Sequence, residues 1–349
     1  MADWPLVRGD AMASGVAEEA LPEKLAPVWE FAAEDSGFEA TAAIVGGVVY
    51  VGDVDGTFYA MHLADGGLLW KQHFQDGGFL AGAAVVDGRV YVGDFNGVVR
   101  ALKADSGETI WEYTAEAEFY AAPNVVAGQV LVTTEAGELV SLDAETGKMK
   151  WRFQIEAPLR CWPTVVDDRV FLAGCDERLH AVAITTGEEV EGIAIDGPTG
   201  STPAVVGGNV YFGTEQGTFY SIATKPLSIG WQYRDPKRSE SIRTAAAADS
   251  RTVVYGTRGK QVNALDPASG KLQWTFSTRS SVESSPIIAG NRVFAATKRG
   301  RMHAIDLVSG EETWEFEAGG SFLASPSVAD ERLIIGNTDG TLYCFGKSE

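Results

Sequence analysis

Apolar and polar positions alternate in short blocks along nearly the whole chain. One stretch reads Ala42–Ala43–Ile44–Val45, then Val48–Val49–Tyr50–Val51, then Thr57–Phe58–Tyr59–Ala60–Met61, then Leu68–Leu69–Trp70. Gly46–Gly47, the segment from Gly52 to Gly56 and a loop with Gly66–Gly67 separate these runs. The runs are rich in Val, Ile, Tyr, Phe and Trp, and read as strands bounded by turns. The next unit carries Asp87–Gly88 and Asn96–Gly97 at the corresponding turns. Such pairs accept the positive φ that two-residue hairpins need. Each unit is therefore expected to be four short antiparallel strands.

The tryptophans give the period. Seven of the nine fall on one ladder, Trp29, Trp70, Trp111, Trp151, Trp231, Trp274 and Trp314, with steps of 41, 41, 40, 80, 43 and 40. The step of 80 spans two units, with Val190 taken as the vacant slot. Eight repeats of about 41 residues fill the chain, and a period of about 40–45 with strand-like units is a propeller signal. A four-stranded blade has no core of its own. Packing blades around an axis buries both faces. The ladder Trp is expected at the outer edge between neighbouring blades, where burying an indole of about 150–250 Å² contributes roughly 4–6 kcal/mol before entropy. Losing it at Val190 would make blade four the softest joint.

The fold expected is all-β: a single eight-bladed β-propeller of four-stranded antiparallel blades over residues 27–349, preceded by a lead segment, 1–26. The last repeat ends at Leu342–Tyr343–Cys344–Phe345 with no fourth strand after it, while Pro27–Val28–Trp29–Glu30–Phe31 precedes any complete blade. The N-terminal strand should complete the last blade and close the ring, removing two exposed edges.

The repeat resembles the PQQ-enzyme repeat, a WD40-like unit, in Val49–Tyr50–Val51–Gly52, Asp339–Gly340–Thr341–Leu342–Tyr343, Val140–Ser141–Leu142–Asp143 with Thr146–Gly147, and Ala304–Ile305–Asp306 with Ser309–Gly310. A proline column, Pro123, Pro163, Pro203, Pro286 and Pro326, lapses to Ala42, Ala83 and Ala246. Two branches share this repeat. One is the quinoprotein dehydrogenases, which hold pyrroloquinoline quinone and calcium over the channel. The other is the BamB-type scaffolds of outer-membrane protein assembly, which hold no cofactor. The chain departs from the first: that branch carries adjacent cysteines under the quinone, the nearest thing here is Cys161–Trp162, which cannot form that ring, and no set of calcium ligands can be matched. It departs from the second in having no cysteine near Met1 for a lipid anchor. The resemblance is closest to the BamB type. It implies an extracytoplasmic location, or a cytoplasmic one if Met1 is the native start.

Charge sharpens this expectation. The net charge of −20 argues against nucleic acid as a partner. No run of about 18 apolar residues exists to span a membrane. The distribution is uneven: residues 1–150 carry 24 acidic and 8 basic groups, residues 234–301 carry 5 and 13. Aligning the repeats gives one column that varies freely between charge, aromatic and glycine: Glu39, Leu80, Tyr120, Arg160, Gly200, Arg243, Glu283 and Leu323. The following column is uniformly small, from Ala40 and Ala81 to Ser284 and Ala324, and the preceding one is mostly bulky, from Phe38 and Phe79 to Val282 and Phe322. A column that must pack stays uniform, so the variable one belongs at the channel mouth. Glu39, Tyr120, Arg160, Trp162, Arg243 and Glu283 are the candidate partner or ligand funnel. Arg258, Lys260, Lys298, Arg299 and Arg301 are a candidate basic face on blades six and seven. Opposite charges on opposite sides of one face would orient a partner.

Other chemistry is thin. His180 and His303 stand where other repeats have Tyr59, Tyr220 and Tyr343, and read as packing residues. Asp53–Val54–Asp55–Gly56 begins like a calcium loop but lacks its later glutamate, so it reads as a turn. Cys161, Cys175 and Cys344 are too few for a disulfide framework and read as free thiols, the alternative being a Cys161–Cys175 pair across an expected hairpin if the protein is exported. No catalytic residues, no metal site and no cofactor are expected. The function expected is a monomeric, non-catalytic scaffold presenting loops to protein or peptide partners. The alternatives are a quinoprotein-type dehydrogenase or sensor with PQQ and Ca²⁺, or a ligand- or carbohydrate-binding propeller.

Overall fold

The computed structural model describes residues 2–75 and 77–347. Among them all regular structure is β, in eight sheets each built on one antiparallel four-stranded blade, blade seven carrying Val16–Ala17 as a fifth, parallel strand. Blade one shows the order from axis to rim: Ala43–Val45, Val48–Gly52, Thr57–His62 and Leu68–His73. The inner strands are short because the ring is narrow there. The ring closes as the lone early strand implied: Leu25–Ala32 pairs antiparallel with Thr341–Lys347 as the outer strand of blade eight.

The ladder indoles form the joints. Each of the seven donates its N–H, at 2.8–3.0 Å, to a carbonyl of the next blade, from Trp29 to Leu63 round to Trp314 to Leu25. In six blades the loop glycine that precedes the outer strand proves to belong to the same joint. A Cβ on Gly66, Gly107, Gly147, Gly187, Gly270 or Gly310 would lie 2.5–2.9 Å from the ladder indole of the preceding blade, and all six hold positive φ. Indole and glycine are one device, split across two blades.

The fourth joint corrects the reading of the ladder. In every blade the register between the third and fourth strands skips one residue beside the ladder slot. In blade four the skipped residue is Val190, which points outward and is 52% exposed. Glu191 pairs with Ala181 as Trp151 pairs with Ser141, so Glu191 holds the slot. Its carboxylate accepts the Leu227 N–H of blade five at 2.8 Å and meets Arg169 at 3.2 Å. Arg169 also donates to the Thr224 carbonyl, and Lys225 reaches Asp168 at 2.8 Å. Blade five has Lys225–Pro226 in the loop where other blades keep glycine. With no indole to face, no glycine is required. The joint is polar rather than missing.

The lead segment is more than a run-in. It threads the channel below the mouth and touches the blades in ring order. Trp4 exchanges backbone hydrogen bonds with Ile44 of blade one. The Pro5 carbonyl accepts from Val85, and the Ala11 carbonyl from the Asn124 amide and from Val165. Met12, Ser14 and Gly15 accept from Val205, Ala248 and Ile288. Val16–Ala17 then runs parallel to Ile287–Ala289, and the Ala2 N–H reaches Asp330 of blade eight. The inner strands of a propeller leave unpaired edges facing the axis, and the lead satisfies them.

The split joint can be tested with two alanine substitutions. Gly128 and Gly147 both hold φ near +70°, but a Cβ meets nothing within 4 Å at Gly128 and lies 2.6 Å from Trp111 at Gly147. Gly128→Ala should cost about 1 kcal/mol for the backbone alone. Gly147→Ala should cost about 1–3 kcal/mol more from overpacking, and that excess should shrink in a Trp111→Ala background. Urea denaturation of the full chain measures both, and equal losses would refute the joint.

Candidate functional site at the channel mouth

The turn between second and third strands is tied to the mouth in all eight blades. Its second residue, or in blade six its first, Arg258, donates its N–H to a carbonyl two positions before the mouth residue, from Val54 to Gly37 round to Thr338 to Ser321. The bulky and small columns behind the mouth are buried: Phe38, Phe79, Phe119 and Phe322 are fully enclosed, as are Cys161, Ser201 and Ser284. This packing holds the variable column as a ring around one end of the channel.

Most charges on this ring are engaged between consecutive blades. Arg160 forks onto Glu135 of blade three, with its Nε 2.9 Å from Oε2, and this contact holds the guanidinium still more firmly protonated. Arg243 Nε lies 2.6 Å from Glu215 of blade five, whose other oxygen accepts the Ser241 hydroxyl. Glu283 accepts Arg258 Nε at 2.9 Å and the Ser281 hydroxyl at 3.1 Å. Exposed pairs of this kind contribute about 0.2–1 kcal/mol each, so their main effect is to fix where the charges sit.

The remaining funnel candidates differ in kind. Tyr120 is 45% exposed at the rim. Trp162 is 2% exposed, and its indole donates to the Pro123 carbonyl at 3.0 Å, so it forms channel wall rather than an open platform. Glu39 is half-buried with no ion pair among the described residues, and burial raises its pKa above the ordinary glutamate value. Below the ring lies a cavity of about 180 Å³ whose lining includes Glu39, Tyr120, Arg160, Trp162 and Glu283, floored by Val7 and Arg8 of the lead. Arg243 lines a separate cleft of about 460 Å³ with Arg160, Cys175 and Glu215, opened where Gly200 leaves the mouth without a side chain.

The five basic residues also divide. Arg258 is paired with Glu283, and Arg301 begins the third strand of blade seven, bound to Glu315 and Glu317 at 3.0 and 2.9 Å. Lys260, Lys298 and Arg299 are exposed and have no ion pair among the described residues. The acidic turns opposite are less free than their composition suggests. Asp53 is buried, accepting the N–H groups of Asp55 and Thr57 and the Tyr59 hydroxyl. Glu138 pairs with Arg152, and Asp176 with His180.

His180 lies buried between Asp176 and Glu189, and His303 is buried against Glu312, in the strand position held by Tyr59. All three cysteines are free thiols, and burial pushes Cys161 and Cys344 up to about 12. The residue missed by the sequence reading is Arg8, which sits 2% exposed under the mouth. Gly15 was its available signal: a side chain there would fall on the Arg8 guanidinium.

A ring of eight four-stranded blades, closed by its own N-terminal strand and plugged by its own lead, defines an eight-bladed propeller of the PQQ-repeat class. The chain belongs to the family of the outer membrane protein assembly factor BamB, whose model matches residues 22–94, 59–160 and 151–349. The solved BamB from Moraxella catarrhalis is similar at 17% identity, covering 93% of this chain and 98% of that one, with a TM-score of 0.80. A quinohemoprotein alcohol dehydrogenase from Comamonas testosteroni is 18% identical over 100% of this chain and 81% of its own, with a TM-score of 0.81. The computationally designed Ika8 protein reaches a TM-score of 0.80 at 17% identity, covering 90% and 97%. No curated protein matches the chain. At such identities these likenesses are of fold, and a designed ring stands beside an enzyme.

Glu39 gives this site a pH signature. Its raised pKa means the native state holds the proton more tightly than the unfolded chain, so stability falls as pH rises from the ordinary glutamate value through the raised one. Glu39→Gln removes that loss. The variant should be more stable than the parent at pH 7, with the advantage vanishing below about pH 4. Thermal denaturation across this range checks it, and a pH-independent difference would count against it.

Proposed function

We propose that the chain is a non-catalytic, monomeric scaffold of the BamB type that presents its channel-mouth face to a protein or peptide partner. The observation that carries this reading is the distribution of free charge. The rim charges of Arg160, Arg243, Arg258 and Glu283 already have partners in the neighbouring blade. Lys260, Lys298 and Arg299 stand exposed without such partners on blades six and seven. An acidic partner segment is the natural complement, and it would be steered to one side of the ring. The chain's net charge of −20 disfavours nucleic acid in that role. By family resemblance we place the protein outside the cytoplasm.

The quinone-dependent reading rests on the fold likeness to dehydrogenases. The mouth residues fit a calcium–quinone pair poorly. A hard cation takes six to eight oxygen ligands. The channel cavity offers two carboxylates, Glu39 and Glu283, and the second is already bound to Arg258 and Ser281. The Trp162 ring is built into the wall.

Two measurements decide between these. The full chain should retain acidic over basic peptides from an immobilised array, and Lys298→Glu with Arg299→Glu should abolish that preference while Lys103→Glu, remote from the mouth, leaves it intact. Equal retention by parent and double variant would remove the basic ledge from the reading. Pyrroloquinoline quinone with calcium should leave the melting temperature unchanged. A rise of several degrees requiring both would overturn the scaffold reading.

A further inference from the structure

Arg8 is a buried cation with no carboxylate against it. Its guanidinium donates to the carbonyls of Ser285 at 3.4 Å, Ala246 at 3.0 Å and Pro286 at 2.7 Å, and its Nε has no acceptor. The nearby Asp10 is engaged elsewhere, accepting the N–H groups of Met12 and Ser14 and the Ser14 hydroxyl. Burial pulls Arg8 down to about 10, against the smaller raising effect of the nearby Asp10 carboxylate. A buried charge ordinarily has a partner of opposite sign. Here Arg8 instead lines the cavity under the mouth.

The wall above Arg8 is rich in donors. Thr41, Thr202, Ser285 and Ser325 line the same cavity. Each hydroxyl oxygen accepts a backbone N–H from a neighbouring blade: Ser325 to Thr41, Trp162 to Thr202, Ala245 to Ser285 and Ser285 to Ser325, at 3.0–3.1 Å. None of the four donates to another group among the described residues, so each has a proton left to offer. Arg8 and four such hydroxyls line about 180 Å³, room for one small organic molecule or several waters.

We propose that this cavity binds a small carboxylate, with Arg8 as its cation and the hydroxyls of Thr41, Thr202, Ser285 and Ser325 as supporting donors. The rim selects its charge. Arg160 and Glu283 in the lining are already paired with Glu135 and Arg258, which leaves Arg8 and Glu39, so a multiply charged anion such as phosphate meets more repulsion than Arg8 offsets, whereas a monoanion is better matched. The ligand can be a plain acid or an amino acid. In the second case its ammonium is the complement of the unpaired Glu39. The site is independent of the scaffold reading, because it lies inside the ring and below the basic ledge.

The test is titration calorimetry of the full chain with acetate, propionate, glycine and alanine at constant ionic strength, with phosphate as the comparison anion. One carboxylate per chain is expected, at higher affinity than phosphate. Arg8→Gln should weaken it at least tenfold. Glu39→Gln should tighten a plain acid, by about twofold to fivefold, and weaken an amino acid, which tells the two sources apart. If Arg8→Gln does not fold, the Glu39 variant decides the matter. No binding by any of the four, tighter binding of phosphate, affinity unchanged in folded Arg8→Gln, or affinity unchanged in Glu39→Gln would each overturn the proposal.

Discussion

The ring depends on one contact made repeatedly: an indole of one blade laid on a loop of the next, where only glycine leaves room. The Trp111 ring sits where a Gly147 side chain would be, and its N–H reaches the Ala144 carbonyl three residues earlier in the same loop. A blade has no independent core, so its stability is set at its joints. The fourth joint shows how tightly the two halves are coupled. Glu191 replaces the indole, and the facing loop gives up its glycine in the same step.

A second closure operates at the axis. The lead runs round the inside of the ring before the chain runs round the outside. Its carbonyls take up the inner-strand N–H groups of Val85, Val165, Val205, Ala248 and Ile288. This turns an open channel into a floored basin. It also brings Arg8, a charge from outside the blades, into the lining of the cavity under the mouth. The blades alone would form a ring of variable residues around a hole. With the lead in place they form a cavity with a cation at its base.

Much of this architecture was legible in the chain, and the particulars show why. Residues that must pack keep a uniform character, so the bulky column from Phe38 to Phe322 and the small one from Ala40 to Ala324 stood out by repetition. The varying column lies round one end of the channel for the complementary reason. Three things were less legible. Even steps of 40 from Trp151 and Trp231 meet at Glu191, but an indole position suggests an apolar replacement and so points to the adjacent Val190, which the bulge turns outward. Trp162 was grouped with exposed aromatics, but its neighbour Pro123 offers a buried carbonyl that draws the indole into the wall. Arg8 and its segment repeat nowhere, so periodicity carried no signal for them.

The amino-acid sequence by itself determined the number of blades, the strand order within each and the strand that closes the ring. All three follow from local turn chemistry and from a pattern repeated eight times, which needs no knowledge of what lies across the axis. Only the tertiary structure decided which charges remain free. Arg258 and Lys298 look alike in the chain, yet Arg258 meets Glu283 of the following blade, while the equivalent mouth position after Lys298 is Leu323, which has no carboxylate to offer. The same holds for Arg8, a residue of the lead that becomes the floor of the mouth only after eight blades have assembled around it. Pairing and burial are set by neighbours about 25 to 280 positions away, and such neighbours exist only once the ring has closed.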